Sequence, residues 1–308
     1  MHRLASSALR LLALIGTVLP ATVVAARLEV VTTTSMVTDL VQQIGGDRVA
    51  VSGLMGAGVD PHLYKPTASD VTKLQKAKVT FYSGLMLEGR MADLFTRLGK
   101  GGKKVFAVTA SIPQTSLLAP PEFEGHHDPH VWGDARLWAL CAETVVKGLS
   151  EADPDGRAEY AKRGETYKQE LAKVHEWAVK RAQELPESAR ILVTSHDAFN
   201  YFGRAYGFQV VGVQGISTVT EAGLADVAKV VDFLKQKKVK AIFVESSVSR
   251  AAIERISKDS GAKIGGELFS DAMGTPGTMV TVAGETYDEG TYVGMLKHNI
   301  NTAVEALK

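Results

Sequence analysis

Short β-branched runs alternate with helix-forming stretches along almost the whole chain, and that alternation limits the fold more than any other feature. Strands are expected at Leu28–Thr33, Val49–Met55, Val79–Tyr82, Val105–Val108, Ile191–Thr194, Gln209–Val213, Ala241–Glu245 and Lys263–Gly265. Helical patterns lie between them at Ser35–Ile44, Ser69–Lys76, Ala135–Leu149, Thr220–Lys235 and Ala251–Ser260. Repeated strand–helix units bury their apolar faces as mainly parallel sheets flanked by helices, which predicts an α/β fold.

The middle of the chain breaks this rhythm. Asp153-Pro154 reads as an N-cap followed by proline at the first helical position. From there Tyr160, Gly164, Tyr167, Leu171, Val174, Ala178 and Leu185 recur mostly in three- and four-residue steps, until Pro186 stops the pattern. Such a helix would be about 45–50 Å long at 1.5 Å per residue. That length exceeds what one compact domain needs, so a helix running beside two lobes is expected. A coiled-coil dimer is disfavoured, because the repeat lasts only about four heptads and lacks a leucine seam. The expected division is a first lobe over 27–150, a linking helix over 151–186 and a second lobe over 187–308. The two lobes open alike, with Leu28 to Ser35 matching the pattern of Arg190 to His196.

Residues 1–26 have the layout of a secretory signal. Arg3 and Arg10 supply positive charge, Leu9 to Val18 are largely apolar, and Val24-Ala25-Ala26 fits a small-x-small cleavage site. The apolar run is too short to serve comfortably as a membrane anchor. The sole cysteine is Cys141, within an apolar stretch, which excludes an internal disulfide and leaves no cysteine at the cleavage site for a lipid anchor. A free, periplasmic, monomeric protein is expected. Loss of Arg3 and Arg10 leaves 33 basic against 34 acidic residues, from 35 and 34 in the full chain. A formal charge of −1 with no basic cluster gives no footing for nucleic-acid binding.

The chemistry sits in the histidines. His62 lies in Asp60-Pro61-His62-Leu63-Tyr64-Lys65-Pro66, directly after a strand, where the prolines stiffen the turn. His130 lies in a second Asp-Pro-His, Asp128-Pro129-His130-Val131-Trp132, ahead of a helix. Two such motifs in one lobe favour metal ligation over surface histidine. His196 follows Ile191–Ser195, at the carboxyl end of a strand, where open α/β sheets place their ligands. Asp271 lies after the last strand of the second lobe, a position that by itself reads as a turn residue. His175 and His298 read as packing or solvated residues, and His126 and His127 as an exposed polar loop or a transient capture point.

Four ordered motifs carry a family resemblance: Pro61-His62-x-Tyr64-x-Pro66, Asp128 to Trp132, Ser195 to Phe199, and Gly266 to Gly274. With Phe199 to Phe208 and Ile242 to Ser247, they make the chain resemble the zinc/manganese solute-binding proteins of ABC importers, TroA-like branch, over essentially its whole mature length. The resemblance implies two α/β lobes joined by one long rigid helix. It also implies one Zn2+ or Mn2+ ion per chain, held by His62, His130, His196 and Asp271 and passed to an importer permease. Three neutral imidazoles and a carboxylate suit a borderline divalent ion, and zinc slightly better than manganese. Zinc-specific members often carry a histidine-rich loop, whereas Pro113 to Pro129 holds only His126 and His127, so a manganese or iron scavenger is the alternative. Glu245, ending a strand, is a candidate acceptor for a ligand imidazole or for another buried partner. A zinc-dependent hydrolase is disfavoured, since such enzymes keep an open coordination position and neither HExxH nor GxSxG occurs.

Overall fold

The computed structural model describes residues 26–123 and 125–308. The expected signal segment, apart from its last residue, lies outside them. Strand β1 (Leu28–Thr32) leads into α1 (Ser35–Gly45), followed by β2 (Val49–Gly53), α2 (Ala68–Lys76), β3 (Val79–Tyr82), α3 (Ala92–Lys100) and β4 (Lys104–Ala107). The four strands form one parallel sheet in the order β2-β1-β3-β4. Val30 and Val31 point to opposite faces of β1 and both are buried, the signature of a sheet covered on two sides. Thr34 starts α1 by accepting from the Val37 N–H, and Met36, Val37, Leu40, Val41 and Ile44 form its buried stripe.

Two long helices follow, α4 (Ala135–Ala152) and α5 (Arg157–Ala182). The second is shorter than the sequence predicts. Pro154–Gly156 is a 3-10 turn, and the 26-residue helix that follows spans about 39 Å at 1.5 Å per residue. Asp153 does not cap α5, because its carboxylate is taken by Arg48 Nε at 2.9 Å and the Tyr160 hydroxyl at 2.6 Å. The second lobe contains β5 (Ile191–Thr194), α6 (Asn200–Tyr206), β6 (Gln209–Gly212), α7 (Leu224–Lys237), β7 (Ala241–Glu245), α8 (Ala251–Ser260) and β8 (Lys263–Leu268). The pairs β5-β6 and β7-β8 are parallel, and β5 lies beside β7. A hairpin, β9 (Met279–Val282) and β10 (Glu285–Asp288), precedes the C-terminal helix α9 (Tyr292–Leu307).

One apolar core runs through both lobes. It joins Leu40 and Ile44 of α1, Trp138 and Val145 of α4, Tyr160, Leu171 and Ala178 of α5, and Ile300 and Val304 of α9. A separate cluster under α7 and α8 holds Val193, Val231, Leu234, Ile242 and Ile256. Asp39 is the polar rivet of the shared core: its carboxylate accepts from Gln43 Nε2 at 3.0 Å, the Tyr167 hydroxyl at 3.3 Å and the Tyr292 N–H at 3.2 Å. Burial raises the pKa of that carboxyl despite these bonds. Helix α5 therefore belongs to the common core. The strands run parallel within the β1–β4 sheet and within the β5-β6 and β7-β8 pairs, and the four candidate donors on the loops meet in one buried group.

Candidate metal centre

Each donor stands on a loop whose geometry its own neighbours determine. In both Asp-Pro-His motifs the aspartate carboxylate accepts from the histidine N–H two residues on: Asp60 from His62 at 2.8 Å and Asp128 from His130 at 3.0 Å. The intervening proline has no N–H to compete and a nearly constant φ, so the turn presents the imidazole with little freedom left to lose. Asp128 does more, since the same Oδ1 lies 2.7 Å from His130 Nδ1. Asn200 Nδ2 donates to its other oxygen at 3.2 Å, and the Tyr201 hydroxyl to its carbonyl at 3.0 Å.

His196 follows β5, and Glu245 at the end of β7 holds it twice. Glu245 Oε1 accepts from the His196 N–H at 2.8 Å, and Oε2 lies 2.5 Å from His196 Nδ1. A carboxylate on Nδ1 orients the ring and leaves Nε2 facing the site, for His130 and His196 alike. Of the two roles open to Glu245 in the sequence, the structure shows the imidazole partner. The sequence reading does not assign this role to Asp128, although its position two residues before His130 is the available signal.

Asp271 follows β8 in a segment pinned from three sides. Asn299 of α9 bonds both the N–H and the carbonyl of Phe269, Trp132 Nε1 donates to the Ser270 carbonyl at 2.8 Å, and Ser35 Oγ accepts from the Met273 N–H at 2.9 Å. The last two bonds cross from one lobe to the other.

His62, His130, His196 and Asp271 are all buried, and one ligand atom from each lies within 4.8 Å of every other. His62 Nε2 is 3.4 Å from His130 Nε2 and 3.9 Å from Asp271 Oδ2. Asp271 Oδ1 is 3.3 Å from His130 Nε2, and its Oδ2 is 3.2 Å from His196 Nε2. A tetrahedron with bonds of about 2.0–2.2 Å has edges of roughly 3.3–3.6 Å. The donors are thus spaced for one ion. Both Asp271 oxygens and His196 Nε2 are buried without a properly aligned hydrogen-bond partner, a costly state for polar atoms that a cation would relieve.

The electrostatics agree with that fit. Burial would raise Asp271, but His196 and His130 hold it well below the usual carboxylate range. Burial likewise opposes charge on His130, yet Asp128 and Asp271 raise it to about 9. His196 is raised well above the usual imidazole range, as Glu245 and Asp271 outweigh burial. His62 has no such second carboxylate; burial and its two charged neighbours outweigh Asp271 and lower it to about 3. Without its ion, the site therefore keeps protons on two of the positions that a dication would occupy.

Other histidines lie apart. His175 packs against Tyr206 from α5, and His298 contacts the Glu267 carbonyl and Glu289 from α9. His126 lies beside Phe123 with the two rings tilted, and neither it nor His127 joins the four-donor group.

Two α/β lobes around a shared helix, closing on a buried three-histidine, one-aspartate cluster, describe the metal-capturing class of solute-binding protein. The family described as zinc-uptake complex component A, periplasmic, matches residues 30–306, and the chain belongs to that family. The manganese-binding lipoprotein MntA of Bacillus subtilis is 45% identical over 92% of this chain and 90% of its own length. The zinc-binding protein TroA of Treponema pallidum is 44% identical over 90% and 88%, respectively. The solved structure of the latter, a periplasmic zinc-binding protein, superposes with a TM-score of 0.86 at 43% identity, covering 92% of this chain and 99% of that one. One of these relatives is named a lipoprotein, so the expected absence of a lipid anchor finds no support among them.

Proposed function

We propose that this protein is a substrate-binding protein of an ABC importer that captures one Zn2+ or Mn2+ ion with His62, His130, His196 and Asp271 and delivers it to a membrane permease. The observation that carries this is the donor cluster itself: four buried ligand atoms, two from each lobe, spaced as the corners of a single coordination shell. Three imidazoles and one carboxylate form a borderline donor set that both ions accept. The relatives named for manganese and for zinc are nearly equal in identity, which supports that pair as the substrate class.

The lobes carrying these pairs are assigned to residues 27–150 and 187–308, with 151–186 as the link. Because the core is continuous through α5, opening is confined to the loops and a small tilt rather than a wide hinge. Four converging protein donors favour holding over hydrolysis, which needs a coordination position for water and a base beside it. Titration of the metal-stripped protein with zinc and with manganese, separately and in competition, tests the reading and ranks the ions. One equivalent of at least one ion should bind. His196→Ala and Asp271→Ala should each weaken binding by more than the roughly 10–100-fold that loss of an outer partner causes. Parent-like binding by both variants would overturn the donor assignment.

A further inference from the structure

The two loops that present His62 and His196 are tied together by a contact outside the donor set. Asp60 uses one carboxylate oxygen, Oδ1, to hold the His62 N–H at 2.8 Å. Its other oxygen, Oδ2, accepts from the Thr218 hydroxyl at 2.6 Å, across the gap between the lobes. Thr218 belongs to the loop between β6 and α7 and is buried, although both its neighbours Ser217 and Val219 are more exposed. That loop is in turn stitched to the strand end bearing His196. The Gln214 N–H donates to the Ser195 carbonyl at 3.0 Å, and the Asp197 N–H to the Gly215 carbonyl at 3.2 Å. A continuous path thus runs from the His62 backbone through Asp60, Thr218 and the loop to the residues flanking His196.

We propose that Asp60 and Thr218 form a clasp that sets how fast the bound ion leaves while supplying no donor atom. The proposal rests on the metal-binding reading above. Release requires donors from opposite lobes to part, and parting the His62 turn from the β6–α7 loop breaks this hydrogen bond. A hydroxyl donating to a carboxylate is among the stronger hydrogen bonds, and its loss leaves a half-buried oxygen without a partner. Trp132 to Ser270 and Ser35 to Met273 secure the Asp271 segment instead; Asp60 secures the His62 turn. A contact made only when the loops are together stabilises the closed form against the open one and so acts mainly on dissociation.

Thr218→Val removes the hydroxyl while keeping the shape, and Thr218→Ser keeps the hydroxyl while losing a methyl. Zinc-loaded parent and variants are mixed with excess chromogenic chelator in a stopped-flow instrument, after stoichiometry has been measured for each. Thr218→Val should still bind one equivalent and release it roughly 10–100-fold faster, with Thr218→Ser close to the parent. Release of zinc from Thr218→Val at the parent rate would overturn the clasp, as would equal acceleration in both variants. Failure of the parent to take up one equivalent of either zinc or manganese would instead overturn the metal-binding reading, and the clasp with it.

Discussion

Loading of this site should be an exchange of protons for the ion. Near neutral pH without metal, His130, raised to about 9, and His196, raised well above the usual imidazole range, carry protons at the nitrogens that face Asp271. His62, lowered to about 3, is neutral, and Asp271, held well below its ordinary value, is ionised. A dication that ligates both raised imidazoles must therefore displace two protons, leaving the net charge of the cluster unchanged. The sign follows: protons compete more strongly as pH falls, so apparent affinity declines progressively as the pH drops below about 9, where His130 takes up its proton. Two displaced protons mean two decades per pH unit, so lowering the pH from about 7.5 to about 6.5 should weaken binding about 100-fold, or ~2.7 kcal/mol. Calorimetric titration with zinc at neutral pH, in buffers of different ionisation enthalpy, counts the released protons directly, and chelator competition at the two pH values measures the slope. Asp128→Asn removes the charge that sustains the His130 proton and should reduce the count towards one. A count near zero in the parent, or an affinity flat across this interval, would refute the reasoning.

Glu245→Gln should keep the fold, since the side chain retains its size and can still accept from the His196 N–H, but it removes the charged acceptor at Nδ1. Affinity at pH 8 should fall roughly 10–100-fold, and parent-like affinity would show that the contact does not tune the ligand. Leu171→Ala, in the fully buried stripe of α5, should cost about 2–5 kcal/mol of stability while leaving one equivalent of metal bound. Because the core is continuous through α5, calorimetry should show a single unfolding transition moved to lower temperature; two separated transitions would contradict the shared core.

The elements legible in the sequence were those encoded locally. Val79–Tyr82, Ile191–Thr194 and Ala241–Glu245 have the bounds that the sequence predicts, because short β-branched runs between turn residues leave few alternatives. Ala251–Ser260 was equally clear. The β9–β10 hairpin was not anticipated: its turn places Ala283 at φ 53° beside Gly284 at φ 82°, and alanine gives no warning of a left-handed position. The start of α5 is not legible locally, because Asp153 has the residue type of a cap while Arg48, 105 positions away, draws its side chain elsewhere.

By itself the sequence determined the α/β class, the long central helix and, through ordered motifs, the four candidate donors. Both Asp-Pro-His turns are local devices whose carboxylate, proline and imidazole lie within three residues, so their purpose can be read from the text. Only the tertiary structure decided which carboxylates stand behind the imidazoles, how the donors are spaced and what ties the loops together. Glu245 reaches His196 across 49 residues and Thr218 reaches Asp60 across 158. Contacts at such separations depend on sheet order and on the packing of α4, α5 and α9, and no local pattern records them, because the residues involved have their ordinary local roles until the lobes come together.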